Sequence, residues 1–60
     1  MKIKMLYTRD YEGNIIWNKD DIFEIREKND DYYIVKIEDG MKYGIEKKAI
    51  NEYEMIEDEN

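Results

Sequence analysis

Apolar and polar residues alternate along much of this chain. Near the amino terminus, Ile3, Met5 and Tyr7 alternate with lysines, which is the two-residue repeat of a half-buried strand. The segment 32–37 is dense in aromatic and β-branched side chains, which fit a pleated surface better than a helix. The pattern therefore predicts strands at 2–7 and 32–37.

Clusters of Gly, Asn and Asp separate these segments and mark turns. Asp39-Gly40 predicts a tight hairpin, because glycine accepts the positive φ that such a turn requires. The segment 46–50 is too short for an independent helix, so we expect a single 3₁₀ turn there. The polar segments 8–14, 18–21 and 28–31 are predicted loops and turns, the first of which opens into 15–17. The segments 22–25 and 41–45 and the region near 53–56 are predicted strands.

About five short strands without a crossover helix indicate an all-β fold, a meander closed into a small five-stranded barrel. Closure would hide the unpaired strand edges that promote aggregation. We expect one domain over residues 1–56. The remaining residues, 57–60, are expected to form an acidic, disordered tail.

The charge of the chain is unevenly distributed. Of its 60 residues, positions 1–50 hold 11 acids and 10 bases, whereas 51–60 hold five acids and no base. A net charge of −6 disfavours contact with phosphate backbones. Eight aromatic residues and ten isoleucines supply enough apolar surface for a core. No apolar run approaches the roughly 20 residues that span a bilayer, so we expect a cytoplasmic protein without membrane contact.

The inventory of reactive side chains argues against catalysis. The chain has no His, Cys or Ser, so the usual nucleophile and base pairs cannot be assembled. Asp20-Asp21 and Asp30-Asp31 are candidate acid-base or Ca²⁺ ligands, but adjacent turn residues point apart and the spacing of an EF-hand is missing. We therefore expect solvated turns there, no cofactor, no metal and no enzymatic activity.

Several short segments match, in order, the motifs of one domain family. Residues 5–7 look like the start of an ALYDY segment, and 15–21 resemble the L-S-F-K-K-G-D stretch that ends an RT loop. Residues 31–33 resemble a D-W-W region, and Asp39-Gly40 resembles a distal hairpin. Ile45 and Ile50 keep the spacing of two core positions around a 3₁₀ turn. Together they resemble the SH3 domain over residues 3–56. The resemblance implies an SH3-like barrel of the kind found in small bacterial or phage proteins.

The match to the SH3 ligand platform is incomplete. Tyr7 matches its first aromatic residue, and Tyr32 takes the place of the ligand-facing Trp. The family's Pro and Tyr in the 3₁₀ turn align with Glu46 and Ala49. The second Tyr of the ALYDY segment aligns with Arg9, unless a shifted loop brings Tyr11 to that position. The resemblance therefore supports the fold and argues against ordinary recognition of PxxP peptides.

The remaining aromatic residues divide into two sets. We expect Trp17, Phe23, Tyr33 and Tyr53 to lie in the core. By resemblance, Tyr7, Tyr11 and Tyr32 converge beside the loops, either as a partner-binding cluster or as ordinary edge packing. Asp30 and Asp31 flank them and favour a basic protein or peptide partner, although acids also serve solubility alone. The candidate binding residues are Tyr7, Tyr11, Asp30, Asp31 and Tyr32.

These observations favour a small non-catalytic protein-interaction module. The heavy use of Ile, Lys and Asn is typical of AT-rich coding, so a phage or mobile-element accessory protein that binds a host protein is a specific version of this hypothesis. The alternative is an acidic inhibitor that imitates nucleic acid and occupies the groove of a DNA- or RNA-binding enzyme. Direct nucleic-acid binding through the lysines is a third and weaker reading.

Overall fold

The computed structural model describes residues 1–37 and 40–57. Every regular element in these ranges is a β-strand, so the all-β prediction is confirmed. No helix in this part of the chain is long and apolar enough to cross a membrane. The strands are β1 (Lys2–Met5), β2 (Arg9–Tyr11), β3 (Asn14–Trp17), β4 (Ile22–Lys28), β5 (Tyr32–Lys36), β6 (Lys42–Glu46) and β7 (Tyr53–Ile56).

Five of the strands form one antiparallel sheet in the order β6-β5-β4-β1-β7, and β2 and β3 form a separate hairpin. The sheet curls because the register of β4 with β5 shifts between Ile25 and Glu27, and such a bulge bends its strand. The first half of β4 pairs with β1 and the second half with β5. In the described residues β6 and β7 are edge strands, so the curled sheet is a half-barrel and the predicted closed barrel is not confirmed.

The core lies on the concave side of this sheet. Ile3 and Met5 of β1 are fully buried, as their alternation with lysines predicts. Trp17 makes edge-to-face ring contacts with Tyr7, Phe23 and Tyr43 at centroid distances of 5.9, 6.2 and 6.0 Å. The predicted core aromatics all contribute: Trp17 and Tyr53 are buried, and Phe23 and Tyr33 pack against the buried cluster. The buried residues are Ile3, Met5, Trp17, Val35, Ile37, Ile45 and Tyr53.

The segment between β6 and β7 differs from the prediction. Ile50 is 70% exposed and is not a core residue, whereas Tyr53 is 9% exposed and fills the second core position after Ile45. The amide of Ala49 donates to the carbonyl of Glu46 at 3.1 Å, and that of Glu52 donates to Ala49 at 2.9 Å. These bonds close two successive turns, and the single 3₁₀ turn is not confirmed. Tyr53 is thus buried at the start of β7, as predicted, and only the assignment of Ile50 to the core is wrong.

The predicted loop at 8–14 contains the β2–β3 hairpin. Its tip is Glu12-Gly13, with φ of 51° and 83°, the left-handed region used by two-residue hairpin turns. Every residue of β2 is exposed, so no burial alternation marks this strand in the sequence. The hairpin predicted at Asp39-Gly40 falls partly outside the described residues, as does the predicted tail 57–60, of which Glu57 alone is described.

The other two predicted turns are present. In the 18–21 turn the amide of Asp21 donates to the carbonyl of Asn18 at 3.1 Å. The carboxylate of Asp21 in return accepts the amide of Asn18 at 2.9 Å. The 28–31 turn begins one residue later than predicted, because Lys28 still belongs to β4.

Candidate functional site

Tyr7 and Tyr32 line a single groove of about 230 Å³, which we call the tyrosine groove. Tyr7 follows β1 and Tyr32 begins β5. Since β4 separates these two strands in the sheet, curling of the sheet and its flanking loops brings the two rings to one groove. The groove is also lined by Arg9, Trp17, Gly44, Glu46, Ala49 and Glu52.

One side of the tyrosine groove is formed by Tyr7, Trp17 and Arg9, which contact one another. The indole Nε1 of Trp17 donates a hydrogen bond of 3.1 Å to the carbonyl of Tyr7. The Arg9 guanidinium lies 5.7 Å from the centroid of the Trp17 ring, within the range of a cation–π contact. Its Nη1 is 3.4 Å from the Tyr7 hydroxyl. These contacts order Tyr7 and Arg9 before any partner binds.

The other side depends on the position of the Tyr32 ring. Tyr32 pairs with Glu46 across β5 and β6, and Gly44 is the diagonal neighbour on the same face. A Cβ atom at Gly44 would lie 3.2 Å from Cδ1 of Tyr32, closer than ordinary van der Waals contact. The missing side chain of Gly44 therefore leaves the space in which the ring lies.

The turn between β4 and β5 places Asp30 and Asp31 beside the tyrosine groove. Asn29 Oδ1 accepts hydrogen bonds from the amides of Asp31 and Tyr32 at 2.9 and 2.8 Å, which is how Asn stabilises tight turns. The carbonyl of Asp31 accepts the amide of Lys47 at 2.9 Å and ties this turn to the 46–52 segment. Both aspartates are exposed and flank the groove without lining it.

Tyr11 is not part of the tyrosine groove. It lies at the end of β2 opposite Asn14 and lines a different depression with Ile15 and Tyr43. The structure therefore brings together Tyr7 and Tyr32, with the aspartate turn at their flank, and separates Tyr11 from them. Tyr11 lies next to the tip of the β2–β3 hairpin, whereas Arg9 and Trp17, which pair at its other end, line the tyrosine groove.

The 46–52 segment gives the groove an acidic wall. Glu46 and Glu52 both line it, and neither carboxylate forms an ion pair with another described residue. The Tyr53 hydroxyl donates a hydrogen bond to the carbonyl of Lys47 and anchors this segment to the core. Burial raises the pKa of the Tyr53 phenol, and the nearby Tyr33 raises it further. The acidic wall is thus held by a group that stays protonated at neutral pH.

The groove can make contacts but does not assemble reactive groups. Its side chains supply aromatic faces, one guanidinium and two carboxylates. Within residues 1–37 and 40–57, no group of three or more acidic side chains is arranged to hold a metal ion. The Asp21 carboxylate instead accepts the Asn18 amide. Such a surface is suited to stacking, hydrogen bonding and charge pairing with a macromolecular partner.

Sequence reasoning missed two contributions to the groove. The pattern predicts a core position for Trp17 alone, yet one part of its ring also lines the groove beneath Arg9. Its place directly before the polar 18–21 turn is the signal in the sequence for this double role. Glu52 gave no such signal, because its position depends on the length of the two turns between β6 and β7.

Comparison with known proteins identifies no relative of this chain. No protein-family model matches the chain, and no curated protein or solved structure shows significant similarity to it.

Proposed function

We propose that this chain is a non-catalytic, SH3-like protein-interaction module that binds a protein or peptide through the tyrosine groove. The strand order β7-β1-β4-β5-β6 supports the SH3-like assignment, since a bent β4 shared between two halves of the sheet is the arrangement that the motif order implies. The β2–β3 hairpin supports the assignment as well, because it lies between β1 and β4, where the SH3 family has its RT loop.

The observation that carries the proposal is the meeting of Tyr7 and Tyr32 in one groove above Trp17. Exposed tyrosines give large contact areas at a small cost in conformational entropy. Here the cost is lower still for Tyr7, because its backbone carbonyl and its ring are both held by Trp17. A preordered aromatic platform of this kind is typical of binding hot spots.

The lining of the groove favours a basic partner over a proline-rich one. Glu46 and Ala49 stand where the SH3 family has its groove-forming Pro and Tyr, so the parallel slots for a polyproline helix are not complete. In their place Glu46 and Glu52 present carboxylates without ion-pair partners among the described residues. A Lys or Arg side chain of the partner would pair with them, while Arg9 would repel a second cation beside Trp17.

The distribution of charge supports this proposal over imitation of nucleic acid. On the face of the sheet that carries the lysines of β1, Lys2 lies opposite Glu24, and Lys4 lies opposite Glu54. Lys4 also forms an ion pair with Asp20 at 3.7 Å. Alternating signs on one face do not reproduce the regular negative charge of a phosphate backbone.

A pull-down from a lysate of a low-GC bacterium, followed by titration of the purified partner, tests the proposal. Trp17 is the only tryptophan of the chain, so its fluorescence reports binding at the groove directly. The Tyr7→Ala/Tyr32→Ala variant is expected to lose at least about thirtyfold in affinity, as hot-spot aromatics do. A phage-encoded role is supported further if the captured partner is a host protein.

Tyr11→Ala is the matched control, because Tyr11 is more exposed than either groove tyrosine and lies outside the groove. It should bind the partner within about twofold of the parent chain. Equal capture by the Tyr7→Ala/Tyr32→Ala variant would reject the tyrosine groove as the binding site. A partner that binds only at low salt and is displaced by DNA would favour the nucleic-acid-mimicking inhibitor instead.

A further inference from the structure

A second surface lies away from the tyrosine groove. Two depressions of about 640 and 430 Å³ share Ile16 and Ile37 as lining residues, and we call the joined depressions the apolar furrow. The furrow runs between the β2–β3 hairpin and the sheet. Eight large hydrophobic residues of the described chain are exposed, and four of them line it, namely Tyr11, Ile15, Ile22 and Met41, at 53–64% exposure.

Apolar residues scattered singly over a surface need no explanation, whereas a continuous exposed apolar surface marks an interaction site. The half-buried Ile16 and Phe23 join the exposed side chains into one surface.

One end of the furrow carries positive charge. Arg26 and Lys36 both line the larger depression, and neither forms an ion pair with another described residue. Lys36 lies directly opposite Lys42 across β5 and β6, and the nearby carboxylate of Glu27 is already bound to Lys42 at 3.0 Å. Among residues 1–37 and 40–57, no carboxylate therefore forms an ion pair with Arg26 or Lys36.

The one acidic residue that lines the larger depression is already engaged. Asp21 is half-buried, and its carboxylate accepts the amide of Asn18 at 2.9 Å. It closes the 18–21 turn and forms no ion pair with Arg26. The furrow thus differs from the tyrosine groove, whose free charges are mainly carboxylates.

We propose that the apolar furrow binds an acidic protein segment whose carboxylates alternate with apolar side chains. The apolar side chains would cover Ile16 and Ile37 and the exposed residues around them, and the carboxylates would pair with Arg26 and Lys36. The opposite signs of the two surfaces mean that the furrow and the tyrosine groove select different partners. This second site does not depend on the function proposed for the groove.

A peptide fits the furrow better than a nucleic acid does. Affinity for nucleic acid comes from many cations that displace condensed counterions, and Arg26 and Lys36 are the two cations that line the furrow in the described residues. The exposed apolar side chains gain no favourable contact with a phosphate backbone, whereas the burial of each of them against apolar side chains of a peptide is favourable.

A nuclear magnetic resonance titration of the full ¹⁵N-labelled chain tests the proposal. The probe is a capped synthetic peptide in which Asp and Leu alternate, and its control is the same peptide with Lys in place of Asp. Saturable shifts are expected at the amides of Ile16, Arg26, Lys36 and Ile37 with the Asp peptide alone. Binding should weaken as salt is added, since the charges are near the surface.

Paired variants separate the furrow from general effects of charge and hydrophobicity. Arg26→Gln/Lys36→Gln is expected to weaken binding about tenfold, whereas Lys19→Gln/Lys48→Gln removes the same charge elsewhere and should change it less than about twofold. Ile15→Ser should weaken binding, and Ile50→Ser, equally exposed but outside the furrow, should not.

Six results would overturn the proposal. Five concern the peptide titration: shifts centred on Tyr7 and Tyr32, equal weakening by the control variants, equal binding of the Lys peptide, tighter binding of an oligothymidine at the same amides, and no saturable shift up to millimolar peptide. The sixth is a set of furrow shifts that depend on protein concentration without peptide, which would assign the surface to a second copy of the chain. Shifts of the Asp peptide centred on Tyr7 and Tyr32 would also contradict the basic partner proposed for the tyrosine groove, whereas the other five results leave that proposal unaffected.

Discussion

Replacing Trp17 with phenylalanine tests the claim that one side chain supports both the core and the tyrosine groove. The smaller ring keeps an apolar, aromatic side chain at a position that is almost fully buried. It removes the Nε1 donor that binds the Tyr7 carbonyl at 3.1 Å. It also withdraws the edge of the indole from the surrounding rings of Tyr7, Phe23 and Tyr43.

The cost follows from these losses. A part-buried carbonyl that loses its donor costs about 1 kcal/mol. The void left by the smaller ring adds about 1 kcal/mol, and weaker edge-to-face contacts add up to about 1 kcal/mol more. The free energy of unfolding should therefore fall by roughly 2–3 kcal/mol. In a domain of this size each kcal/mol lowers Tm by about 4–8 °C, so Tm should fall by at least about 8 °C.

Urea denaturation followed by circular dichroism measures this loss. Tyr43→Phe is the matched control, because it keeps the ring that contacts Trp17 and removes only a hydroxyl; it should cost less than about 0.5 kcal/mol. A loss below about 1 kcal/mol for Trp17→Phe, or equal losses for the two variants, would refute the role assigned to the indole.

Three further predictions concern the turn, the groove and the pH dependence. Gly13→Ala should lower the free energy of unfolding by about 1 kcal/mol in thermal denaturation, because φ at Gly13 is 83°, which an L-residue adopts at a cost. An added Cβ would meet nothing within 4 Å, so the whole effect comes from the backbone. An unchanged stability would contradict this explanation. Gly44→Ala should weaken partner binding about threefold to tenfold in the fluorescence titration while the fold persists, because the new Cβ, at 3.2 Å, displaces the Tyr32 ring; unchanged affinity would show that the ring position is irrelevant. Burial of Tyr53, with Tyr33 adding a smaller effect, raises the pKa of its phenol above the ordinary 10.0, so the folded state favours the protonated form. Stability should hold below pH 10 and fall as pH rises through the raised pKa, and Tyr53→Phe should flatten this decline in urea titrations at successive pH values.

Local patterns in the sequence determined the strands that bury one face. Lys2 and Lys4 alternate with two side chains that become fully buried, so β1 and its inward face follow from the period of two alone. The same holds for β5, whose branched and aromatic residues have few alternatives to a sheet. Asn29 closes its turn with its own side chain, which is again a contact between near neighbours.

Tertiary structure decided what these local signals do not contain. Every residue of β2 is exposed, so no alternation of buried and exposed positions in the sequence predicts this strand. It forms because it pairs with β3. Two successive turns between β6 and β7 leave Ile50 in solvent, although its spacing from Ile45 predicts a core position. The sequence groups Tyr7, Tyr11 and Tyr32 in one candidate cluster, but Tyr7 and Tyr32 share a groove and Tyr11 does not. The physical reason is that the two-residue period of apolar side chains indicates only which face of a strand is buried. The curl of the sheet, the length of the hairpin and the geometry of the turns determine which distant side chains meet.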